Sequence, residues 1–327
     1  MNLRALGFDD GFARALAGLA LADAYVGRVA RVDADIAQLL VEAGEQSARV
    51  PRRVVRAALG RPVTGDWVAC VSAGEPVVEA VLPRRSELVR RAAGRRAAAQ
   101  LLCANVDVLF VVMGLDGDFN LRRLERYLTL AAEGRVRPVV LLTKAGLCAN
   151  AAALTAEASA VAQGVTVHAL DVLSGIAADV PLGYLGEGVT AAVVGSSGAG
   201  KSTLVNHLLG EDRMRIASVR VHDDRGKHTT THRELLPLPM GGAVIDTPGL
   251  RELGLWADSG ALETAFSDVI ELGAGCRFRD CAHGAEPGCA VRAAVAEGRL
   301  DGARLASYIA LGAELARRAR GTRRDWR

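Results

Sequence analysis

No apolar run in this sequence is long enough to cross a bilayer. The longest, Val108 to Met113 and Val139 to Leu142 among them, stop far short of the roughly 18 residues a spanning helix needs. Asp9 and Asp10 precede the only apolar stretch near the N-terminus, so it does not read as a secretory signal. A cytoplasmic protein without membrane contact is therefore expected. Lysine is nearly missing: of 40 basic residues only Lys144, Lys201 and Lys227 are lysines. All three fall inside motifs, at places where a compact ammonium does what a guanidinium cannot. Charge of one sign is not in excess either. A formal +3 over 327 residues permits a nucleic-acid partner without requiring one. With 24% charged and 50% hydrophobic residues the chain is ordinarily globular, not disordered, and its length fits roughly two or three domains.

Cysteines are few, and half of them are scattered. Cys70, Cys103 and Cys148 read as small buried hydrophobes. The others share one segment with a histidine, Cys276-Arg-Phe-Arg-Asp-Cys281-Ala-His283-Gly-Ala-Glu-Pro-Gly-Cys289. Three thiolates and an imidazole make a closed tetrahedral zinc site, with no open position for water, so the ion would hold fold and not do chemistry. The competing reading, a disulfide plus a spare thiol, fits a reducing compartment poorly.

Along the chain, residues 2–24 are rich in Ala and Leu and predict a short helix. From Tyr25 to Leu82 short apolar runs are broken by Gly, Pro and Asp, as in Tyr25-Val26-Gly27-Arg28-Val29, Leu39-Leu40-Val41 and Gly65-Asp66-Trp67-Val68. That pattern predicts a small β-barrel of the OB type. Residues 84–96 hold six arginines against one acid, Glu87, and read equally as a solvated linker or as a phosphate-contacting segment. A strand-like run at residues 106–113 follows. Next come a helix with Leu121, Leu124, Tyr127 and Leu128 on one face, and a second buried strand at residues 138–142. Strand–helix alternation continues to about Thr247, the pattern of a parallel sheet covered on both faces. A last helix carries Leu305, Tyr308, Ile309 and Leu315 as an apolar stripe, before a basic tail at residues 317–327.

Ala191-Ala192-Val193-Val194 runs into Gly195-Ser196-Ser197-Gly198-Ala199-Gly200-Lys201-Ser202-Thr203 and then an apolar helix. Strand, glycine loop and helix in this order form a phosphate cradle. Backbone N–H groups turn inward, Lys201 reaches the β/γ-phosphates and the Ser202 hydroxyl meets Mg²⁺. Downstream, a strand delivers Asp246-Thr247-Pro248-Gly249. In this arrangement Asp246 holds Mg²⁺ through water, and the Gly249 N–H senses the γ-phosphate. The polar segment Arg225-Gly226-Lys227-His228-Thr229-Thr230-Thr231 suits a switch loop in which a threonine, Thr230, closes over Mg²⁺. A transporter ATPase would need its Leu-Ser-Gly signature after the phosphate loop, and the only one, at Leu173 to Gly175, precedes it. A guanine-reading Asn/Thr-Lys-x-Asp motif normally follows these elements, yet no lysine occurs after Lys227. The one candidate, Thr143-Lys144-Ala145-Gly146, comes first, at the end of a buried strand. That order implies a circularly permuted GTPase core.

With these motifs in place the chain resembles the ribosome small-subunit-dependent GTPases, RsgA or YjeQ. The resemblance is carried by Gly65-Asp66-Trp67, Asn120-Leu-Arg-Arg-Leu-Glu-Arg-Tyr127, the permuted order, residues 225–231 and 246–249, and the Cys/His cluster with Glu286-Pro287-Gly288. It covers nearly the whole chain from about residue 25. It implies an α/β circularly permuted P-loop GTPase core with an N-terminal OB-fold β-barrel and a C-terminal zinc-binding helical domain. The expected units are an extension at 1–24, an RNA-binding OB-fold at 25–95, the GTPase at 96–255, and the zinc domain with its basic tail at 256–327. The resemblance further implies a GTP phosphohydrolase, stimulated by the small ribosomal subunit and acting late in its maturation, most simply as a monomer. Zinc would be held by Cys276, Cys281, His283 and Cys289, and nucleotide contacts would come from residues 143–146 and 195–203.

Two departures stand out. Where the family's base motif ends in Asp, this chain has Gly146. That carboxylate would accept both guanine N1–H and N2–H, and losing it costs about 1.5–3 kcal/mol per charged hydrogen bond. The neighbouring base segment, Val167-His168-Ala169, keeps the Ala but lacks the usual Ser. The second departure is that Leu250, not Gln, follows Gly249. The attacking water then needs another orienting group. His228 is the candidate, ahead of His222 and His232, and slow intrinsic turnover is expected. Gly146 keeps two rivals open: a subunit-binding checkpoint protein that has lost guanine specificity, and a P-loop NTPase of relaxed base choice acting elsewhere on RNA.

Overall fold

The computed structural model of the chain describes residues 1–91, 99–212, 233–247 and 259–322. Helix α1 (Asp10–Ala17) begins where the Asp9 carboxylate accepts from the N–H groups of Gly11 and Phe12. Next come β1 (Tyr25–Asp33), β2 (Ile36–Val41), β3 (Gly44–Arg49), the one-turn helix α2 (Arg52–Val55), β4 (Trp67–Ala73) and β5 (Glu75–Val81). These strands close into a barrel in the order β1-β2-β3-β5-β4, antiparallel except where β3 meets β5. This is the OB topology anticipated from the broken apolar runs. Val29, Leu39, Val68, Cys70 and Val78 fill it, and burial pushes the Cys70 thiol up to about 12, as for an inert packing residue.

A ribbon of β6 (Glu87–Arg91) and β7 (Ala99–Ala104) leads to the central sheet. That sheet contains β8 (Val108–Gly114), β9 (Arg137–Thr143), β10 (Val167–Ala169), β11 (Thr190–Val194), β12 (Glu234–Pro237) and β13 (Ala243–Asp246), in the order β10-β9-β8-β11-β13-β12. All pairings are parallel except that of the edge strand β12 with β13. Strand β8 is buried at every position, and its alternation sorts its side chains between two layers. Leu109, Val111 and Met113 face the larger core, while Val108, Phe110 and Val112 face the smaller one. On the larger side lie α3 (Leu121–Gly134), capped by the Asn120 side chain, and α4 (Ala151–Ala162). On the smaller side lies α5 (Lys201–Leu209) through Leu204, Val205 and Leu208.

Helices α6 (Ser259–Ala265), α7 (Ser267–Gly273), α8 (Ala290–Ala296) and α9 (Gly302–Thr322) form the C-terminal unit, whose Phe266, Val269, Val291 and Leu305 join the larger core. On α9 the anticipated stripe holds at Leu305, Tyr308 and Leu315, which all pack in or against the larger core, and departs at one position. Leu311 is buried, whereas Ile309 faces solvent. The side chains of the basic tail lie outside the described residues.

Two sequence expectations change at the seam between barrel and sheet. The first 24 residues are more than an extension: Leu3, Leu6 and Phe12 belong to the larger core, and the Ala5 carbonyl accepts from Gly188 and Gly242. The arginine run is not uniformly solvated. Arg84 clamps the fully buried Asp66, Nε to Oδ1 at 2.7 Å and a second nitrogen to Oδ2 at 2.8 Å. Arg85 stacks over Phe12 at 4.2 Å and pairs with Asp9. Residues 92–98 of that run lie outside the described residues. Gly65 adopts φ +90°, and a Cβ there would lie 2.2 Å from the Ala104 carbonyl oxygen. Gly65-Asp66-Trp67 is thus the motif that lets the barrel close against the sheet.

Candidate functional site

Parallel strands deliver their loops to one sheet edge, and the crevice beyond the strand carboxyl ends is where such sheets bind ligands. The loop after β11 is held in phosphate-cradling shape. Gly195 has φ +152°, and a Cβ on it would lie 2.2 Å from the Val112 carbonyl oxygen. Gly198 and Gly200 also have positive φ, with Gly200 as the first cap of α5. Ala199 is buried beneath the loop, whereas Ser197 and Gly198 face solvent and Ser202 and Thr203 are half-buried. The Lys201 ammonium folds onto the loop and donates to the carbonyls of Gly195 (2.8 Å) and Ser196 (2.5 Å).

Strand β13 pairs with β11 so that Asp246 stands opposite Val193, two residues before Gly195. Asp246 is buried, which raises its carboxyl above the ordinary range, although Lys201 and the Thr247 N–H pull the other way. Thr247 is anchored by its hydroxyl on the Val193 carbonyl. Pro248, Gly249, Leu250 and the whole of residues 225–231, with His222, His228, Thr230 and His232, lie outside the described residues.

Although β9 precedes the phosphate loop by some fifty residues of chain, only β8 separates it from β11 in the sheet. Its last residue, Thr143, is buried and donates its hydroxyl to the Ala199 carbonyl at 2.7 Å. The Thr143-Lys144-Ala145-Gly146 segment and the phosphate loop therefore share one edge and one hydrogen bond. Lys144 takes the left-handed conformation, φ +61°, and its ammonium pairs with Asp116 at 2.5 Å. Burial, the largest single influence, works against the Asp116 charge, but the Lys144 ammonium and the backbone N–H donors of the turn together outweigh it and lower the carboxyl below the ordinary range. Asp116 was not foreseen. Its signal was the Leu115-Asp116-Gly117-Asp118 turn at the carboxyl end of a buried parallel strand. Ala145 and Gly146 lie in a short 3₁₀ turn beside the loop after β10. His168, on β10, bonds the Tyr184 hydroxyl at 2.6 Å, and burial lowers its basicity.

The metal cluster stands apart from this edge. Cys276 and Cys289 Sγ are 3.9 Å apart and lie 3.6 and 3.5 Å from His283 Nδ1. With Cys281 all four ligand atoms fall within 4.8 Å of one another. A tetrahedron with Zn–S near 2.3 Å and Zn–N near 2.0 Å sets its ligand atoms about 3.5–3.8 Å apart, so donor set and spacing both fit zinc. The backbone serves the same end: His283 has φ +57°, and Cys289 is the N-cap of α8. The His283 N–H favours the Cys281 thiolate, yet partial burial and the neighbouring Cys289 and Cys276 push that thiol up to about 11.

Sequence reasoning missed what joins this unit to the sheet. Arg304 on α9, almost fully buried, holds Asp268 at 2.5 and 2.7 Å and Glu125 of α3 at 3.3 Å. An arginine in a helical segment carries no sign of such partners.

Comparison with known proteins agrees with this geometry. The family model described as RsgA GTPase matches residues 81–256. The small ribosomal subunit biogenesis GTPase RsgA of Opitutus terrae is 46% identical over 339 residues, covering 98% of this chain and 91% of that protein. The protein of the same name from Xylella fastidiosa strain M23 is 52% identical over 258 residues, covering 78% and 76%. Among solved structures, YjeQ from Thermotoga maritima superposes with TM-score 0.67 at 24% identity, over 90% of this chain and 99% of that one. YloQ, a circularly permuted GTPase, superposes with TM-score 0.63 at 22% identity, over 90% and 96%. At those identities the solved structures speak for the fold alone.

Proposed function

From the premise that this chain belongs to the RsgA GTPase family, we propose that it acts in biogenesis of the small ribosomal subunit, hydrolysing GTP when that subunit docks. The observation that carries the reading is the Thr143–Ala199 hydrogen bond. It joins a base-reading segment to a phosphate loop that follows it in the chain, as a permuted GTPase requires. On this reading the units at 25–95, 96–255 and 256–327 are the RNA-binding barrel, the GTPase and the zinc domain, and the segment at 1–24 braces the first two.

The roles follow from position. Residues 195–203 wrap the phosphates with backbone N–H groups, and Lys201 leaves the carbonyls of Gly195 and Ser196 for the β/γ-phosphates. Ser202 and Asp246 would hold Mg²⁺, which would supply neutralisation of the phosphate charge. The burial that raises the Asp246 carboxyl is offset when a cation arrives. Thr143, Lys144 and Ala145 flank the base. Gly249 reports on the γ-phosphate, Thr230 closes the switch, and His228 orients the water that attacks phosphorus. With Leu250 unable to do that last task, turnover waits for a partner to order the switch. Cys276, Cys281, His283 and Cys289 would hold one structural zinc ion. Ribosomal RNA phosphates would meet the barrel face and the basic tail, and the protein would act as a monomer away from membranes. Among the described residues no helix is long and apolar enough to span one.

The test is phosphate release from GTP and ATP, each with and without purified small ribosomal subunits. GTP turnover that climbs with subunits while ATP stays flat is the expected result. Equal use of both nucleotides, or no response to subunits, overturns the proposal. Subunit binding indifferent to nucleotide would point to a checkpoint protein instead.

A further inference from the structure

We propose that Asp171 reads the guanine edge in place of the carboxylate that position 146 lacks, an inference that rests on the GTPase reading above. Guanine offers two adjacent donors, N1–H and N2–H, and a carboxylate is the side chain that accepts both with charge assistance. Gly146 has no side chain to offer. The loops after β9 and β10, however, run side by side. The Leu170 N–H donates to the Leu142 carbonyl at 2.8 Å, and the Ala145 N–H donates to the Leu170 carbonyl at 3.2 Å.

This pairing carries Asp171 to the vacant place. A Cβ built on Gly146 would lie 2.9 Å from Asp171 Oδ2 and 3.2 Å from Ser174 Oγ. An aspartate's own oxygens stand about 2.4 Å from its Cβ, two bonds of about 1.5 and 1.2 Å away. Asp171 thus sets an anionic oxygen at nearly the distance from the backbone where the missing carboxylate would have held one. At that closeness a second carboxylate would crowd and repel the first, so glycine at 146 and aspartate at 171 are alternative solutions to one demand.

Asp171 is also held as a recognition group should be. It is 7% exposed. Its Oδ1 accepts from the Leu173 and Ser174 N–H groups at 3.1 and 3.3 Å, and its own N–H donates to the Ile176 carbonyl at 2.7 Å. Among the described residues Oδ2 accepts no hydrogen bond, so one oxygen of a carboxylate otherwise held by backbone donors is open to a ligand. The nearby Asp116 cannot serve, because Lys144 already holds it.

The test is equilibrium binding of GDP, ADP and xanthosine diphosphate to the full chain and to Asp171→Asn. Xanthine carries a carbonyl where guanine has its amino group, so an amide N–H at 171 should suit it. The expected result is GDP affinity lowered about 10- to 100-fold, xanthosine diphosphate affinity raised, and ADP affinity unchanged as the sign of an intact phosphate loop. Asp171→Asn that still prefers GDP over ADP as the unaltered protein does overturns the role of Asp171 and leaves the GTPase reading standing. Equal affinity of the unaltered protein for GDP and ADP overturns guanine reading itself, and this inference with it. If Asp171→Asn binds no nucleotide, the pair Gly146→Asp, Asp171→Ala decides: GDP preference there supports the exchange of carboxylates, and its absence overturns it.

Discussion

Replacing Arg304 with methionine separates a buried ion network from packing as the tie between the C-terminal helices and the α/β core. Methionine keeps much of the volume and none of the bonds. Arg304 now grips both oxygens of Asp268, reaches Glu125, donates to the Val161 and Ala265 carbonyls at 3.3 and 3.1 Å, and lies 4.6 Å over the Phe266 ring. Removing one member of a buried pair costs about 3–5 kcal/mol, because the remaining charge is stranded. Here the stranding is partial. Glu125 keeps Arg122, which approaches both its oxygens at 2.8 Å, and the Asp268 side chain, 16% exposed, reaches water. Those facts place the cost at the lower end, about 3 kcal/mol. The two orphaned carbonyls, at about 1 kcal/mol or more apiece, keep it from falling further. Amide hydrogen exchange reads this directly. In α9 the opening free energy should drop by about 3 kcal/mol, roughly 150-fold faster exchange, while α5 and β11 stay unchanged. Acceleration of less than about tenfold in α9, or equal acceleration in α5, would refute the assignment of the tie to Arg304.

Three further outcomes follow from the same geometry. Cys289→Ser should abolish stoichiometric zinc, read by elemental analysis, and collapse exchange protection in α8 while β8–β11 remain protected; retained zinc would show that Cys289 is no ligand. Gly195→Ala places a methyl 2.2 Å from the Val112 carbonyl at φ +152°, so nucleotide affinity should fall by well over about tenfold, while a circular dichroism spectrum like that of the unaltered protein would show the sheet intact. The Lys144–Asp116 pair lowers the Asp116 carboxyl, so its contribution is present above the unfolded pKa and is lost as pH falls through the folded one. Both groups are partly exposed and screened, so the contribution is about 0.5 kcal/mol. Urea midpoints measured against pH should lose that acid-side component in Asp116→Asn.

What could be read from sequence, and what could not, divides by the reach of the interaction. The phosphate loop was legible because its chemistry is local: glycines able to turn N–H groups inward, one lysine, one serine, and a strand and helix on either side. The Cys/His cluster was legible for the same reason, since one short segment brings all four side chains together. The permuted order was legible from an absence, the lack of lysine after Lys227. Arg84 and Arg304 were not legible, because composition reports a charge but not its partner. Asp66 meets Arg84 across 18 residues of chain and Glu125 meets Arg304 across 179. Gly146 shows the same limit from the other side. As a string it is a lost carboxylate, and only the pairing of β9 with β10 brings Asp171 beside it.

The buried arginines also explain how a change at the nucleotide edge could reach distant surfaces. Arg28, fully buried in β1, donates to the Leu6 and Asn105 carbonyls and to the Thr190 hydroxyl at 2.5, 3.0 and 3.0 Å. Thr190 begins β11, the strand that ends at the phosphate loop. Burial pulls the Arg28 guanidinium down to about 10, against the opposing pull of Asp107 and Asp66, which leaves it charged at neutral pH with both terminal nitrogens bonded at the seam. The barrel is therefore fastened to the base of the strand that carries the phosphate loop. The zinc unit is fastened, through Arg304 and Glu125, to the helix between β8 and β9. Each outer unit grips a different element of the α/β core, one the strand β11 and the other the helix α3, and those elements lead to the phosphate and base halves of one site. A shift between the two halves when GTP becomes GDP would then be felt as a change in the angle between barrel and zinc unit, and distances between labels on the two, with each nucleotide bound, measure it. Equal distances in both states would remove this route of coupling.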